Sequence, residues 1–216
     1  MDSIEKACAA LRAGRPVIIF DGDEREGEAD IVFHASSATP DAIAMLRCDG
    51  GGLICLATSE AIARRMGLPF AADLLRSSGN PVLRKIAISR SAYGDEPAFS
   101  ITINHISNYT GVTDEDRATT ARRFAEIVAR NNGVRREFVS EFRAPGHLHL
   151  LIGRGIENRR GHTELALELA RRAGLPPAML LCEMMGKRKA LSKRAARKYA
   201  REHGLVFLEG RQIWRK

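Results

Sequence analysis

Cysteine, long apolar runs, internal repeats and low-complexity linkers are all scarce or missing in this 216-residue chain. The four cysteines, Cys8, Cys48, Cys55 and Cys182, include no Cys-x-x-Cys pair and are too sparse for a disulfide scaffold. A reducing cytoplasm is therefore the expected home. No stretch approaches ~18 consecutive apolar residues, so neither a transmembrane helix nor a membrane partner is expected. The start, Met1-Asp2-Ser3-Ile4-Glu5-Lys6, lacks the basic-then-apolar form of a secretory signal. With no repeat and no linker, residues 1–216 read as one domain, in keeping with the usual ~100–200 residues per domain. At 44% hydrophobic and 28% charged, the chain has the composition of an ordinary globule.

Charge is plentiful and unevenly placed. The net charge of +8 is concentrated late, where Lys187, Arg188, Lys189, Lys193, Arg194, Arg197, Lys198 and Arg201 occur with no acid between them. A basic face suits phosphate backbones. No zinc finger or interleaved stacking aromatics accompany it, so a solvated helix face is preferred and no nucleic-acid partner is expected.

The opposite sign collects at residues 21–30, Asp21-Gly22-Asp23-Glu24-Arg25-Glu26-Gly27-Glu28-Ala29-Asp30, between the apolar runs Pro16–Phe20 and Ile31–Phe33. Crowded carboxylates repel one another, and a hard cation or a positive substrate relieves that repulsion. In extended chain Glu26, Glu28 and Asp30 share one face, an oxygen-rich set that suits Mg²⁺ or Mn²⁺ better than zinc. An acidic surface turn fits this stretch alone equally well.

Periodicity supplies the frame. Ile4, Ala7, Cys8 and Leu11 predict a helix over 3–13, and Pro16–Phe20 a buried strand. Further strands are expected through about His34 and at 53–57, 99–105, 147–152, 178–182 and 205–208. Helices are expected from Thr39-Pro40 to about Cys48 and at 59–66, 113–131, 162–173 and 192–203. Residues 68–98 read as irregular, with Pro69, Pro81 and Pro97, and a loop that long is usually functional or mobile. Irregularly interleaved strands and helices predict an α/β fold of α+β type, a three-layer sandwich around a mixed, twisted sheet.

Four other places put unusual chemistry at element ends. Arg159-Arg160-Gly161-His162-Thr163-Glu164 enters a helix, a natural phosphate cradle of free amides, dipole and cation; a capped helix with solvent-facing arginines is the alternative. His147 and His149 share a strand face, as ligands or as ordinary rim histidines. Glu183 ends a buried strand, where a carboxylate is either functional or salt-bridged. Cys55, taken alone, reads as an inert buried thiol.

In this order the motifs resemble 3,4-dihydroxy-2-butanone-4-phosphate synthase, a family of riboflavin biosynthesis. The resemblance is carried by Arg25-Glu26-Gly27-Glu28 with Asp30, Gly51-Gly52-Leu53-Ile54-Cys55, Ser91-Ala92-Tyr93-Gly94, Thr110-Gly111-Val112-Thr113 and Asp116-Arg117. Arg143 with Pro145-Gly146-His147, Arg159 with Gly161-His162-Thr163-Glu164, and Cys182-Glu183 complete it. It spans nearly the whole chain and is nearest the stand-alone archaeal form, without a fused GTP cyclohydrolase II domain.

The resemblance implies a lyase that turns D-ribulose 5-phosphate into 3,4-dihydroxy-2-butanone 4-phosphate and formate. The route is metal-stabilised enediolate chemistry with a skeletal rearrangement. It further implies Mg²⁺ or Mn²⁺, two ions per site, with Glu26 and His162 as metal ligands. Arg25 and Asp30 would contact the sugar. Arg159, Gly161 and Thr163 would take the phosphate, with Arg160 beside them. His147 and Glu183 correspond to acid/base positions, and Cys55 and Thr110 to supporting active-site groups. A homodimer with sites shared across its interface is implied as well. The chain departs from the family pattern at Gly22, at Arg160 and at Lys187-Arg188-Lys189, where relatives often carry an acidic turn. A phosphate-binding relative without activity and a nucleic-acid module built on the basic segment are the competing functions.

Overall fold

The computed structural model describes residues 3–87, 90–130 and 132–215. Val17–Phe20 (β1) alternates its side chains strictly, with Val17 and Ile19 in one core and Ile18 and Phe20 in another. A strand buried on both faces needs covering layers above and below, and the helices supply them.

On one side lie Ser3–Arg12 (α1) and His162–Arg172 (α8), whose Leu11, Leu165 and Leu169 are fully buried. On the other lie Pro40–Met45 (α2), Glu60–Met66 (α3), Asp114–Ala129 (α6), Val134–Glu141 (α7) and Lys193–Glu202 (α9). Phe124, Phe138 and the strand residue Phe142 stack or meet edge-on there at centroid distances of 5.2–6.3 Å. The expected three-layer sandwich is present.

Between the layers runs a seven-stranded mixed sheet. Its strands are β1, Ala29–His34 (β2), Cys55–Ser59 (β3), Phe99–His105 (β4), Phe142–Gly153 (β5), Ala178–Glu183 (β6) and Val206–Glu209 (β7). The spatial order is β4-β5-β3-β6-β2-β1-β7. Pairs β3/β5 and β1/β7 are parallel, and the rest are antiparallel. The β2/β6 register sets Asp30 directly opposite Glu183.

Several boundaries differ from the periodicity reading, each for a local reason. Strand β3 opens at Cys55 rather than 53, because Gly52 and Leu53 give their N–H groups to Glu183 instead of to a ladder. Strand β5 opens at Phe142, ahead of Pro145-Gly146, because Gly146 lets the Ile103 backbone approach where any Cβ would sit 2.0 Å from it. Residues 68–98 are not wholly irregular: they include Ala71–Ser77 (α4) and Pro81–Ile86 (α5), neither of which buries a residue. The short Gly210–Trp214 helix (α10), closed by a capping box from Glu209 and Gln212, ends the fold. Among the described residues no helix is long and apolar enough to cross a membrane.

Candidate active site

The acidic stretch closes on itself. Asp21, buried at the end of β1, accepts the backbone N–H groups of Gly22 (2.8 Å), Glu26 (3.1 Å) and Glu28 (3.1 Å). Gly27, with φ of +68°, supplies the left-handed residue this turn requires. Residues 22–28 are therefore turn rather than strand, so the shared face expected of Glu26, Glu28 and Asp30 is not formed by strand alternation. The turn nevertheless delivers Glu26 and Asp30 to one place.

That place is the first residue of α8. His162 sets Nδ1 3.5 Å from Glu26 Oε2 and Nε2 3.4 Å from Asp30 Oδ1, and Nε2 also lies 3.2 Å from the Glu28 carbonyl oxygen. Burial by itself depresses an imidazole pKa. Here the Asp30 charge, the hydrogen bond to Glu26 and the charges of Asp21 and Glu26 outweigh it and hold His162 up to about 10. Burial likewise pushes up Glu26, yet hydrogen bonds from His162 and Tyr93 and the charges of His162 and Arg159 bring it to about 2. Burial lifts Asp30 to about 8 against the pull of His162, with Glu183, Glu26 and Asp21 adding to the rise.

Asp21, Glu26 and His162 each present one ligand-type atom within 4.8 Å of the others. Asp21 already accepts three backbone amides, which makes Glu26, and His162 once its proton leaves, the freer pair of ligands. Asp30 Oδ1 is buried and has no hydrogen-bond partner. Carboxylates with one imidazole, around an unsatisfied buried oxygen, form a donor set that fits a hard divalent cation.

Arg159 stands beside them. Its Nη1 donates to the buried Glu164 carboxylate at 2.6 Å, and its Nη2 lies 3.8 Å from Glu26 Oε1. Gly161 precedes α8 with no side-chain cap, so the first amides of the helix are unclaimed by a side chain. A Cβ there would lie 2.3 Å from Arg159 Nη1, so only glycine lets the guanidinium rest against the helix start.

Glu26, Arg159 and His162 line one cavity of about 310 Å³, together with Asp30, Cys55, Tyr93, Thr163 and Glu183. Glu183 accepts the Leu53 N–H at 2.8 Å, and a Cβ on Gly52 would sit 2.4 Å from its Oε2. Burial, reinforced by the Glu183 and Asp30 charges, pushes the Cys55 thiol up, so it is a neutral S–H group at physiological pH.

Arg25 borders the group from behind. It pairs with Asp95, lies 3.4 Å from Asp21 and 3.7 Å from Glu26, and carries its guanidinium carbon 5.2 Å over the Tyr93 ring. Tyr93 and Asp95 had no role in the sequence reading; the proximity of Ser91–Gly94 to this pocket was its only available signal.

Five expected residues are not among those that line the cavity: Gly161, Arg25, Arg160, His147 and Thr110. Arg160 is exposed and stacks on Trp214 at 4.1 Å, in a separate cleft of about 340 Å³. His147 shares its sheet face with Leu151 but is exposed, held by Asn104, which accepts the His147 N–H at 2.8 Å. Thr110 is exposed too, and its hydroxyl bonds to Asp116 at 3.4 Å. Thr110 and His147 belong together, because Gly111 packs against Asn104 so closely that a Cβ would lie 2.0 Å from its amide nitrogen. They form a second, outward-facing cluster.

A three-layer sandwich that gathers a cation-binding acid–histidine set and a helix-start anion cradle in one cavity defines an enzyme acting on a phosphorylated metabolite. The comparisons say which family. The family model of 3,4-dihydroxy-2-butanone 4-phosphate synthase matches residues 5–216. A relative of that name from Archaeoglobus fulgidus is 43% identical, over 97% of this chain and 91% of its own. A riboflavin biosynthesis protein, RibBA, from Staphylococcus saprophyticus is 33% identical over 96% of this chain but 48% of its own. A solved 3,4-dihydroxy-2-butanone 4-phosphate synthase in complex with two magnesium ions superposes with a TM-score of 0.78 at 25% identity, over 99% of this chain and 95% of its own. The chain belongs to the 3,4-dihydroxy-2-butanone 4-phosphate synthase family, lyases of riboflavin biosynthesis.

Proposed function

We infer that the cavity binds D-ribulose 5-phosphate and yields 3,4-dihydroxy-2-butanone 4-phosphate and formate. The observation that carries this reading is the junction, in one pocket, of the Glu26–His162 pair with Arg159 and the uncapped start of α8. A sugar phosphate needs both, one for its oxygens and one for its dianion.

In this reading Arg159, Thr163 and the α8 amides seat the phosphate, since free N–H groups, dipole and cation converge there. Asp30 faces the sugar hydroxyls, and Arg25 backs Glu26 from the outer cleft. Glu26 and His162 hold the divalent cation, Mg²⁺ by analogy with the two ions named for the solved relative. Such a cation supplies charge for the oxyanion that develops when a proton leaves carbon beside a carbonyl. Glu183 lies opposite Asp30 across the β2/β6 ladder. A carboxylate there can move a proton to or from substrate while its Leu53 hydrogen bond fixes its direction. Cys55 contributes a neutral S–H group at the pocket floor rather than a nucleophilic thiolate.

His147 and Thr110 complete the reading as contributions to a second copy's pocket. They are exposed together, flanked by Tyr109 at 99% exposure, Val112 at 51% and Ile106 at 45%. An apolar rim around two polar groups is the surface a homodimer covers. Each protomer would then hold a cavity and lend an acid/base edge to its partner. Arg160 belongs with its neighbour cleft rather than with the substrate.

The test is a formate assay on the purified protein with ribulose 5-phosphate and Mg²⁺. Formate and the four-carbon phosphate are expected in equal amounts, and Glu26→Ala, His162→Ala or Glu183→Ala should each abolish them while leaving the circular dichroism unchanged. Folded wild-type protein that releases no formate with metal present would refute the reading.

A further inference from the structure

The pocket's two arginines are a problem in electrostatics. Arg25 and Arg159 come from different elements, both side chains are largely buried, and Glu26 lies between them at 3.7 Å and 3.8 Å. Buried Arg25 Nε and Nη2 and Arg159 Nε have no hydrogen-bond partner. Like charges held this close and this dry need a shared counter-ion. Glu26 is that counter-ion only while its oxygens are not engaged by a cation.

A second carboxylate reaches the same pair. Asp95 bonds Arg25 Nη1, and its Oδ2 lies 3.6 Å from Arg159 Nε. It arrives on a turn stapled to Ser91, whose N–H donates to the Asp95 carbonyl at 2.7 Å and whose hydroxyl accepts the Asp95 N–H at 3.2 Å. The same turn carries Tyr93, which hydrogen-bonds Glu26. Asp95 lines the outer cleft with Arg25 and Arg160, whereas Arg159 faces both the cleft and the substrate cavity. Asp95 and Arg25 therefore sit behind Arg159, on the side away from the substrate.

We propose that Asp95 is a positioning residue for substrate phosphate, clasping Arg25 and Arg159 together in the outer cleft so that the Arg159 guanidinium stays presented to the cavity. This rests on the substrate reading above. Two effects oppose each other when its charge is removed. The cavity becomes more positive, which favours a dianion. Arg25 also loses its charge-assisted hydrogen bond to Asp95 and rotates toward water, and Arg159 loses the carboxylate 3.6 Å from its Nε, so the guanidinium that faces the cavity is no longer clasped. The second effect dominates because Arg25's remaining carboxylate neighbours, Asp21 and Glu26, lie 3.4 Å and 3.7 Å away, beyond good hydrogen-bond distance.

The experiment uses Asp95→Asn, which keeps the shape, Asp95→Glu, which keeps the charge, and Glu96→Gln as a loop control, since Glu96 pairs with the pocket-remote Arg154 at 3.0 Å. Inorganic phosphate is titrated calorimetrically into each metal-free protein, and KM and kcat are measured with Mg²⁺. Asp95→Asn should weaken phosphate binding and raise KM by about tenfold, with kcat within about twofold and an unchanged melting temperature. Asp95→Glu should recover most of the loss, and Glu96→Gln should match wild type. Unchanged phosphate affinity, tighter phosphate binding, or a loss confined to kcat would each overturn the proposal. A melting temperature lowered in step with affinity, without rescue by Asp95→Glu, would reduce Asp95 to loop support and overturn it as well. Weakened phosphate binding in a protein that makes no formate would leave the clasp standing while the substrate reading falls.

Discussion

At the scale of single residues, the site is governed by one imidazole among carboxylates. His162 is protonated up to about pH 10 in the metal-free protein because, against its burial, Asp30, Glu26 and Asp21 stabilise its charged form. A metal ligand must be neutral, so loading the cation expels that proton. The sign follows directly: below pH 10, each rise in pH removes proton competition and strengthens Mg²⁺ binding. Calorimetric titration in buffers of different ionisation heat should show about one proton released per site near pH 7.5, and affinity rising through pH 6.5–8.5. Affinity flat across that range would show that His162 does not give up a proton to the ion. The sequence displayed Glu26 and His162 plainly but not this coupling, because 136 positions separate them and only the fold brings them within 3.5 Å. Asp95 was silent for a related reason: an aspartate after a glycine in a turn has no local signature of charge pairing.

At the scale of elements, legibility followed burial. Strands β1, β2 and β6 carry apolar residues on both faces and were readable from the apolar runs at 17–20, 31–33 and 178–182. Helices α4 and α5 bury nothing, so they leave no periodic trace, although Asn80-Pro81 carried a capping signal at the start of α5. Helix α7 did leave one, in Val134 and Phe138 at i and i+4, which a fuller reading of 132–142 would have used. Helix α8 matters most, because its inward face anchors the sandwich while its first turn carries His162 and Thr163. Leu169 is fully buried there against α1 and the sheet. Leu169→Ala should cost about 2–5 kcal/mol in urea unfolding. A change below about 1 kcal/mol would mean that α8 is held by its ends rather than by its core face.

At the scale of the whole molecule, the proposed dimer would bring the exposed Thr110–His147 cluster of one copy to the enclosed Glu26–His162 cluster of the other. Subunit mixing separates a shared site from a private one. Glu26→Ala and His147→Ala proteins, each inactive, are unfolded together and refolded as a mixture. Random pairing makes half of the dimers mixed, each with one intact composite site, so about a quarter of wild-type activity should return. No recovery from a mixture that forms dimers would place His147 in its own chain's pocket. The fold class was legible before any coordinates, and the resemblance implied a shared site, but which candidate residues are enclosed and which exposed was not legible, since a sequence records order and not exposure.

The ladder that sets Asp30 opposite Glu183 also limits how this enzyme can be altered. Both acids share the first rung of a ladder whose next rungs, Ile31 with Cys182 and Val32 with Leu181, are buried in the cores. A one-residue insertion inside β2 turns every later side chain to the other face. It would separate the two carboxylates and expose the core in the same stroke. Engineering for new sugars therefore has its freedom in the turns, 22–28 and 91–97, varied around fixed Arg25, Glu26, Tyr93 and Asp95. Libraries that vary β2 or β6 in length will lose the protein before they change its chemistry.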